Sequence, residues 1–261
     1  VNVVLRGDDH LSNTPRQIAL LKALNLEIPE FIHVALFTGD DGAPLSKRNG
    51  SLSVKELKEI GYFPQAVINY LSRVGHTISD NELRNIHELS SVFNIGNIST
   101  SPSKIDHTQL NFWQKNVIES LSIEELSSWL ESSLEDLPKD VNKDSFVGLI
   151  RDNITFPADA VRYLKNLFIN PLDSEKEVED LIKQTGSHFF KIAEKIIEDN
   201  WGDWHKTMKL IGEETGAQGK NLFMPIRASI TGQLSGPELD QVIEVMGLER
   251  VLRRLQEASS L

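Results

Sequence analysis

The chain has 261 residues, 39% of them hydrophobic and 25% charged, which is typical of a globular protein with one or two domains. Its formal net charge of −11 argues against binding to nucleic acid except through a local basic surface. The absence of cysteine excludes disulfides and thiolate zinc sites, and no apolar run approaches the ~20 residues that a transmembrane helix needs.

The first predicted elements are a strand, a helix and a second strand. The apolar run from Val3 stops abruptly at Arg6, which indicates a buried strand whose carboxyl end opens into a crevice, where open α/β sheets bind their ligands. A second apolar run covers residues 33–37. The helix between them starts with an N-cap, a proline and a glutamine, at Thr14, Pro15 and Gln17. This order indicates half of a nucleotide-binding α/β unit.

The loop at residues 39–51 has a residue order that packing does not explain. Turn dipeptides lie near both of its ends, and the adjacent cations Lys47 and Arg48 follow Ser46 between them. Such a loop can close on a polyphosphate. A solvated basic turn is the alternative.

Helical signals dominate from Ser53, which predicts a capping box, with Gly61 as the C-cap. A second capping box at Ser79 predicts a helix over residues 79–93, and a third at Ser122 marks a module boundary. Later helices are predicted over 146–153, 157–168, 174–185, 189–199 and 204–215. An all-helical bundle is therefore expected in the second half of the chain.

The last predicted helix follows Gly247 and is amphipathic. Its apolar residues share one face and its arginines another, with Leu248, Val251, Leu252 and Leu255 against Arg250, Arg253 and Arg254. Upstream of it, Arg227 lies in an apolar stretch. Because an unpaired buried charge is costly, Arg227 either pairs inside the protein or reaches a ligand, and the sequence leaves both open.

Two segments in this order resemble a known family. VLRGDDHLSNTPRQ at residues 4–17, followed by PLSKRNGS at 44–51, is similar to the second half of the catalytic domain of class I aminoacyl-tRNA synthetases, specifically bacterial glutamyl-tRNA synthetases. The loop resembles the KMSKS-type signature of that family, with Pro44 in place of the usual first lysine. Residues 51–76, 105–118 and the carboxyl-terminal run also resemble this family.

The resemblance implies a set of site residues. It places Lys47 on the phosphates of ATP, with Ser46 and Arg48 shaping the catalytic loop, and Arg6 on a carboxylate of glutamate. Further implied contacts with ATP come from Asp9, His10 and Phe37, and implied contacts with tRNA come from Arg227, Pro237, Leu239 and Lys115. For His10 the alternative is a core histidine, and for Lys115 it is a solvated lysine. The residue just before Pro237 is Gly236, which has no side chain to bind a base.

The implied architecture is mainly α. It consists of a remnant of a Rossmann-type α/β catalytic domain at 1–52, an all-α stem-contact region at 53–121 and an all-α anticodon-binding bundle at 122–261. The HIGH-type motif of the family does not occur in these residues, so the first half of the catalytic domain is expected outside this chain. We therefore expect the isolated chain to bind tRNA weakly and to form no adenylate.

The implied activity is that of a glutamate–tRNA ligase, with L-glutamate, tRNA(Glu) and ATP as substrates. Magnesium would arrive with ATP, and no protein-bound metal is predicted. A cytoplasmic monomer without membrane contact is expected. Charging of tRNA(Gln) stays open.

Three alternatives accompany this interpretation. Glutaminyl-tRNA synthetase shares the catalytic motifs but ends in β-barrels, which the helical pattern disfavours. A related enzyme that glutamylates a modified tRNA base lacks the helical carboxyl-terminal domain, so the residues after Ser122 count against it. The third is a non-catalytic helical tRNA-binding module.

Overall fold

A computed structural model describes residues 1–39, 45, 52–99, 101–170 and 176–261. The chain folds into two compact units, Val1–Val117 and Ile118–Leu261. The domain boundaries predicted at 52/53 and 121/122 stay predictions.

The first unit begins with short parallel strands. These are β1 (Val3–Gly7) paired with β2 (Glu30–Val34), and β3 (Phe37–Thr38) paired with β4 (Ser103–Lys104). A 3₁₀ turn, Asp8–Asn13, and the helix α1, Thr14–Ala23, connect β1 to β2. The predicted order of strand, turn, helix and strand is confirmed. The predicted burial of the first strand is wrong, because Val3 and Leu5 are 43% and 51% exposed and β2 is the one described strand beside β1.

Helices complete the first unit: α2 (Val54–Ile60), α3 (Pro64–Leu71), α4 (Ile86–Val92) and α5 (His107–Ser120), which reaches into the second unit. The capping box at Ser53 is confirmed, and Gly61 ends α2 with a φ of 108° that favours glycine. The helix predicted from Ser79 is wrong, since α4 begins at Ile86 and is capped by Asn85. Asp80 instead accepts two hydrogen bonds from the guanidinium of Arg84.

Thr14 is not the N-cap of α1. Asn13 holds that position, without a side-chain cap bond, because the 3₁₀ turn runs directly into the helix. The hydroxyl of Thr14 is instead bonded to side chains of β1 and β2.

The second unit is helical, and no strand occurs among its described residues 118–170 and 176–261. Its helices are α6 (Ile123–Trp129), α7 (Lys143–Ile150), α8 (Pro157–Leu164), α9 (Lys176–Thr185), α10 (Ser187–Asp199), α11 (Trp204–Thr215), α12 (Lys220–Thr231), α13 (Leu239–Met246) and α14 (Leu248–Ser259). The predicted all-helical bundle and the capping box at Ser122 are confirmed. Helix α10 lies against both α11 and α14, and Phe190, Ala193 and Ile197 of α10 are buried.

One arginine of α14 occupies a core position, contrary to the predicted face. The buried residues of α14 are Val251, Arg254, Leu255 and Ala258, spaced as one helical stripe. Nη2 of Arg254 donates to the carbonyl oxygen of Asn166 at 2.5 Å. Asn166 lies in a π-helical turn, Lys165–Ile169, that follows α8. A carbonyl acceptor within the core therefore allows this charged side chain to be buried.

Candidate functional site

Arg6 lies near the end of β1, opposite His33 of β2 in the parallel register. Its Nη2 donates to Oγ1 of Thr14 at 2.6 Å, and its Nε lies 3.5 Å from Nε2 of His33. Oγ1 of Thr14 lies 2.9 Å from the same histidine nitrogen. The guanidinium carbon of Arg6 lies 5.0 Å from the ring centroid of Phe31. The pairing of the two strands thus gathers uncharged or aromatic partners around one cation.

No carboxylate of a described residue lies within ion-pair distance of Arg6. The guanidinium is half-buried at the carboxyl ends of two parallel strands, where sheets of this type bind ligands. Arginine in such a position is suited to a bidentate contact with a carboxylate. The predicted glutamate contact stays a prediction, and the arrangement favours an anionic ligand.

Asp9 and His10 lie together in the 3₁₀ turn after β1. Nε2 of His10 is 3.7 Å from Oδ2 of Asp9, and Nδ1 of His10 is 3.3 Å from Nδ2 of Asn13. The side chain of His10 is 51% exposed, so the alternative of a core histidine is wrong. A Cβ on Gly7 would lie 2.4 Å from Oδ1 of Asp9, so a larger residue at position 7 would displace this carboxylate. Both predicted ATP residues are therefore exposed polar groups at the end of a strand.

Phe37 begins β3 instead of ending the preceding strand. Its carbonyl oxygen accepts a hydrogen bond from the backbone N–H of Leu45 at 3.1 Å. This carbonyl oxygen has a second lone pair, so the bond does not exclude the backbone contact with adenine, which stays a prediction. The predictions for the catalytic loop fall outside the described residues, at Pro44, Ser46, Lys47 and Arg48.

Lys115 lies on α5 with an exposed side chain. The helix is fixed at its start by Asp106, whose Oδ1 accepts hydrogen bonds from the backbone N–H groups of Thr108 and Gln109 at 2.8 and 3.3 Å. The backbone N–H of Asp106 donates to the hydroxyl of Tyr70 at 2.7 Å. The tRNA contact of Lys115 and its solvated alternative both stay predictions.

Arg227 lies on α12 and is half-buried. Its Nη2 donates to the carbonyl oxygen of Pro237 at 2.9 Å, whereas its Nη1 is buried and has no hydrogen-bond partner among the described residues. Burial lowers the pKa of Arg227, and the charges of Glu238 and Tyr163 oppose this shift. One nitrogen therefore pairs inside the protein, the other has no partner among the described residues, and the ligand contact of Arg227 stays a prediction.

The residues predicted beside Arg227 lie at the start of α13. Pro237 is buried, and Leu239, the first residue of α13, is 6% exposed. Gly236 has a φ of +144°, a conformation that favours glycine, which accounts for the missing side chain at this position. A narrow crevice lined by Tyr163, Arg227 and Pro237 lies here. Contacts of these residues with anticodon bases stay predictions.

Two family models match the chain. One is described as the catalytic domain of class I tRNA synthetases (E and Q) and matches residues 1–112, and the other is described as an anticodon binding domain and matches residues 122–259. Glutamate–tRNA ligase 1 of Halorhodospira halophila is 43% identical over 258 residues, which cover 99% of this chain and 54% of that protein. The chain belongs to the glutamyl-tRNA synthetase family. It spans about half the length of the curated relatives it matches.

A second relative agrees with this assignment, and a solved structure shares the fold. Glutamate–tRNA ligase 2 of Nitrosococcus oceani is 40% identical over 257 residues, covering 98% of this chain and 54% of that protein. A crystal structure of a glutamate tRNA ligase from Elizabethkingia meningosepticum, in complex with its amino acid, matches with a TM-score of 0.83 at 21% identity, over 100% of this chain and 57% of that one. The predicted family and the mainly α fold class are confirmed.

Sequence reasoning missed the partners that surround the two arginines. Thr14 and His33 contact Arg6, and Tyr163 lines the crevice of Arg227. The register of β1 against β2 pairs His33 with Arg6, but β1 and β2 are parallel and joined by a crossover, so no short hairpin turn in the sequence indicates this register. In the described parts of the chain, no helix is long and apolar enough to cross a membrane, and no group of three or more His, Asp or Glu side chains is placed to hold a metal ion.

Proposed function

We propose that the protein to which this chain belongs is a glutamate–tRNA ligase. The proposal is carried by one observation: a class I synthetase catalytic match at residues 1–112 is followed by an anticodon-binding match at 122–259. The substrates are L-glutamate, tRNA(Glu) and ATP with its Mg²⁺. The protein acts in the cytoplasm as a monomer.

The reaction has two steps. A carboxylate oxygen of glutamate attacks the α-phosphorus of ATP, so that a glutamyl-adenylate forms and pyrophosphate leaves. A hydroxyl of the terminal ribose of tRNA then attacks the acyl carbon, and AMP leaves. Both steps depend on positioning and on neutralising negative charge, so fixed cations near the strand ends are the groups the chain must supply.

Arg6 binds a carboxylate of glutamate in this proposal. Its support is the position at the ends of β1 and β2 and the lack of an acidic partner among the described residues. Lys47 meets the charge that develops on the phosphates, with Ser46 and Arg48 shaping its loop, and Asp9 and His10 face the ribose and base of ATP.

The helical unit binds tRNA. Arg227 supports this assignment, because its Nη1 is a buried donor that no described residue satisfies. Pro237 and Leu239 contact anticodon bases beside it, and Lys115, which belongs to the first unit, contacts the tRNA backbone. The absence of strands among the described residues of the second unit disfavours a glutaminyl-tRNA synthetase.

The decisive measurement is ATP–pyrophosphate exchange by the full-length gene product with tRNA(Glu), comparing glutamate with glutamine. Exchange with glutamate but not with glutamine supports the proposal. Exchange with glutamine alone would identify a glutaminyl-tRNA synthetase, and tRNA binding without exchange would identify a non-catalytic module. The isolated chain is expected to bind tRNA weakly and to show no exchange.

Lys47→Ala tests the loop in the same assay. Losing one preorganised donor typically lowers the rate on the order of 100- to 1000-fold, and the KM for glutamate should change little. The matched control is Lys55→Ala, since the Lys55 side chain is 85% exposed and contacts Glu59 on the same helix. Equal activity of the two variants would remove Lys47 from the mechanism.

A further inference from the structure

The guanidinium of Arg6 is fixed on one edge and one face. An arginine carries five N–H donors in a planar fork. Nε and Nη2, which form the side-on edge, point toward His33 and Thr14, and the ring of Phe31 lies against the group. Nη1 makes no hydrogen bond with a described residue. The end-on pair of Nη1 and Nη2 is therefore the edge left for a ligand.

The directions of these hydrogen bonds depend on which nitrogen of His33 carries the proton. The two Arg6 nitrogens can only donate, so Oγ1 of Thr14 accepts from Nη2 and its own proton is left to donate. Nε2 of His33 lies 2.9 Å from this hydroxyl, closer than the alternative acceptor, the carbonyl oxygen of His10 at 3.4 Å. With the ring proton on Nδ1, Nε2 can accept from both Thr14 and Arg6, whereas with the proton on Nε2 the ring would donate to Thr14 and leave Nε of Arg6 without this acceptor.

We propose that Thr14 and His33 are positioning residues that direct the free edge of Arg6 at a carboxylate of the amino-acid substrate. This inference rests on the proposed glutamate–tRNA ligase activity. Because neither partner is a carboxylate, they orient the guanidinium without neutralising it. Thr14 is 8% exposed, so water competes little for its hydroxyl.

When it binds the side-chain carboxylate of glutamate, the same edge also selects against glutamine, which has a carboxamide at that position. Two parallel N–H groups match the two acceptor oxygens of a carboxylate. An amide offers one oxygen and one NH₂ group, so an N–H donor of Arg6 would face another donor. Sites built for one hydrogen-bonding pattern reject the mismatched analogue strongly. A guanidinium that can rotate away from this orientation loses the discrimination.

Thr14→Val and Thr14→Ser form the test pair, because valine keeps the shape and removes the hydroxyl, whereas serine keeps the hydroxyl. In pyrophosphate exchange by the full-length gene product, Thr14→Val should raise the KM for glutamate by at least about tenfold, the equivalent of one hydrogen bond to a charged group. The kcat and the KM for ATP should stay within about twofold of the wild-type values, whereas a general structural defect would change them as well. Thr14→Ser should restore the KM for glutamate.

The control for hydroxyl loss is Thr108→Val at an exposed position of α5. An unchanged KM for glutamate in Thr14→Val, or parallel losses for glutamate and ATP, overturns the proposal. If the wild-type protein shows no exchange with glutamate, the proposed function itself has failed, and the second measurement below still tests the geometry.

The second measurement uses the chain alone. Nitrogen-15 NMR of the imidazole at neutral pH distinguishes the two tautomers of His33, and we expect the form protonated on Nδ1. Thr14→Val should weaken that preference, and Thr14→Ser should keep it. A wild-type ring protonated on Nε2 would mean that His33 donates to Thr14 and does not hold Nε of Arg6, which overturns the inference.

Discussion

Replacing Arg227 by methionine removes a half-buried cation whose two terminal nitrogens have opposite energetic effects. Nη2 donates to the carbonyl oxygen of Pro237, and a hydrogen bond from a charged donor stabilises a fold by about 1.5 to 3 kcal/mol. Nη1 is buried without a described partner, which costs about 1 to 3 kcal/mol. These contributions nearly cancel. Arg227→Met should therefore change the free energy of unfolding by less than about 1 kcal/mol.

Arg254 provides the matched control, because it is the same residue type in the same unit. Its Nη2 donates to the carbonyl oxygen of Asn166 and its Nη1 lies 3.4 Å from Oε2 of Glu257, so both terminal nitrogens have partners. Burial lowers the pKa of Arg254, and Glu257 opposes the shift. Arg254→Met loses these bonds without relieving an unpaired donor. We expect it to destabilise the fold by about 2 to 3 kcal/mol.

Urea unfolding of the chain, followed by far-UV circular dichroism, measures both variants. Binding of tRNA(Glu) to the full-length protein should show the reverse order, with Arg227→Met losing at least about tenfold in affinity and Arg254→Met little. If Arg227→Met destabilises the fold as much as Arg254→Met and leaves tRNA affinity intact, then Arg227 is a structural anchor and the reasoning from its unpaired nitrogen is wrong.

Further predictions concern stability. Phe190→Ala should lower the free energy of unfolding by about 3 to 5 kcal/mol, because the ring of Phe190 is fully buried. Phe223 is 47% exposed, so Phe223→Ala should lower it by less than about 1 kcal/mol, and thermal unfolding of the two variants tests the difference. Ser122→Ala removes the acceptor for the backbone N–H of Glu125 and should lower the free energy of unfolding by about 1 kcal/mol. The control is Ser128→Ala within the same helix, which should leave the free energy unchanged, and equal values for the two variants would contradict the capping box. The hydrogen bonds from Arg84, and then one from the backbone of Glu82, lower the pKa of Asp80 below its ordinary 3.8. The resulting stabilisation is fully present above the pKa that Asp80 has in the unfolded chain, and it is lost as the pH falls through the lower pKa of the folded protein. Asp80→Asn should therefore reduce the decrease in the free energy of unfolding between neutral and strongly acidic pH.

Elements defined by local patterns were predictable from the sequence. The boxes at Ser53 and Ser122 use side chains and backbone groups within one turn, so their sequence pattern contains the whole interaction. The helical second unit follows from repeated apolar spacing of the same local kind. At the box predicted for Ser79, the carboxylate of Glu82, three residues further on, is instead bonded to Arg84, and the helix begins later, after the cap residue Asn85.

Interactions between distant residues were not predictable in the same way. Thr14 satisfies the pattern of an N-cap, yet its hydroxyl is bonded to Arg6 and His33, which the strand register brings near. Arg254 has the composition of a surface position, and only the carbonyl of Asn166 makes its burial possible. The site residues on β1 were recognisable by resemblance, but the groups that hold them depend on tertiary structure.

The π-helical turn at Lys165–Ile169 and Arg254 are linked through the carbonyl of Asn166. A π turn contains one residue more than the α-helical turn it replaces, so deleting one residue there would rotate the carbonyls away from their present directions. The guanidinium would then lose its acceptor in a region that water does not reach. Homologues without the extra residue should accordingly have an uncharged side chain at the position of Arg254, so that the insertion and the arginine are gained or lost in evolution as a pair.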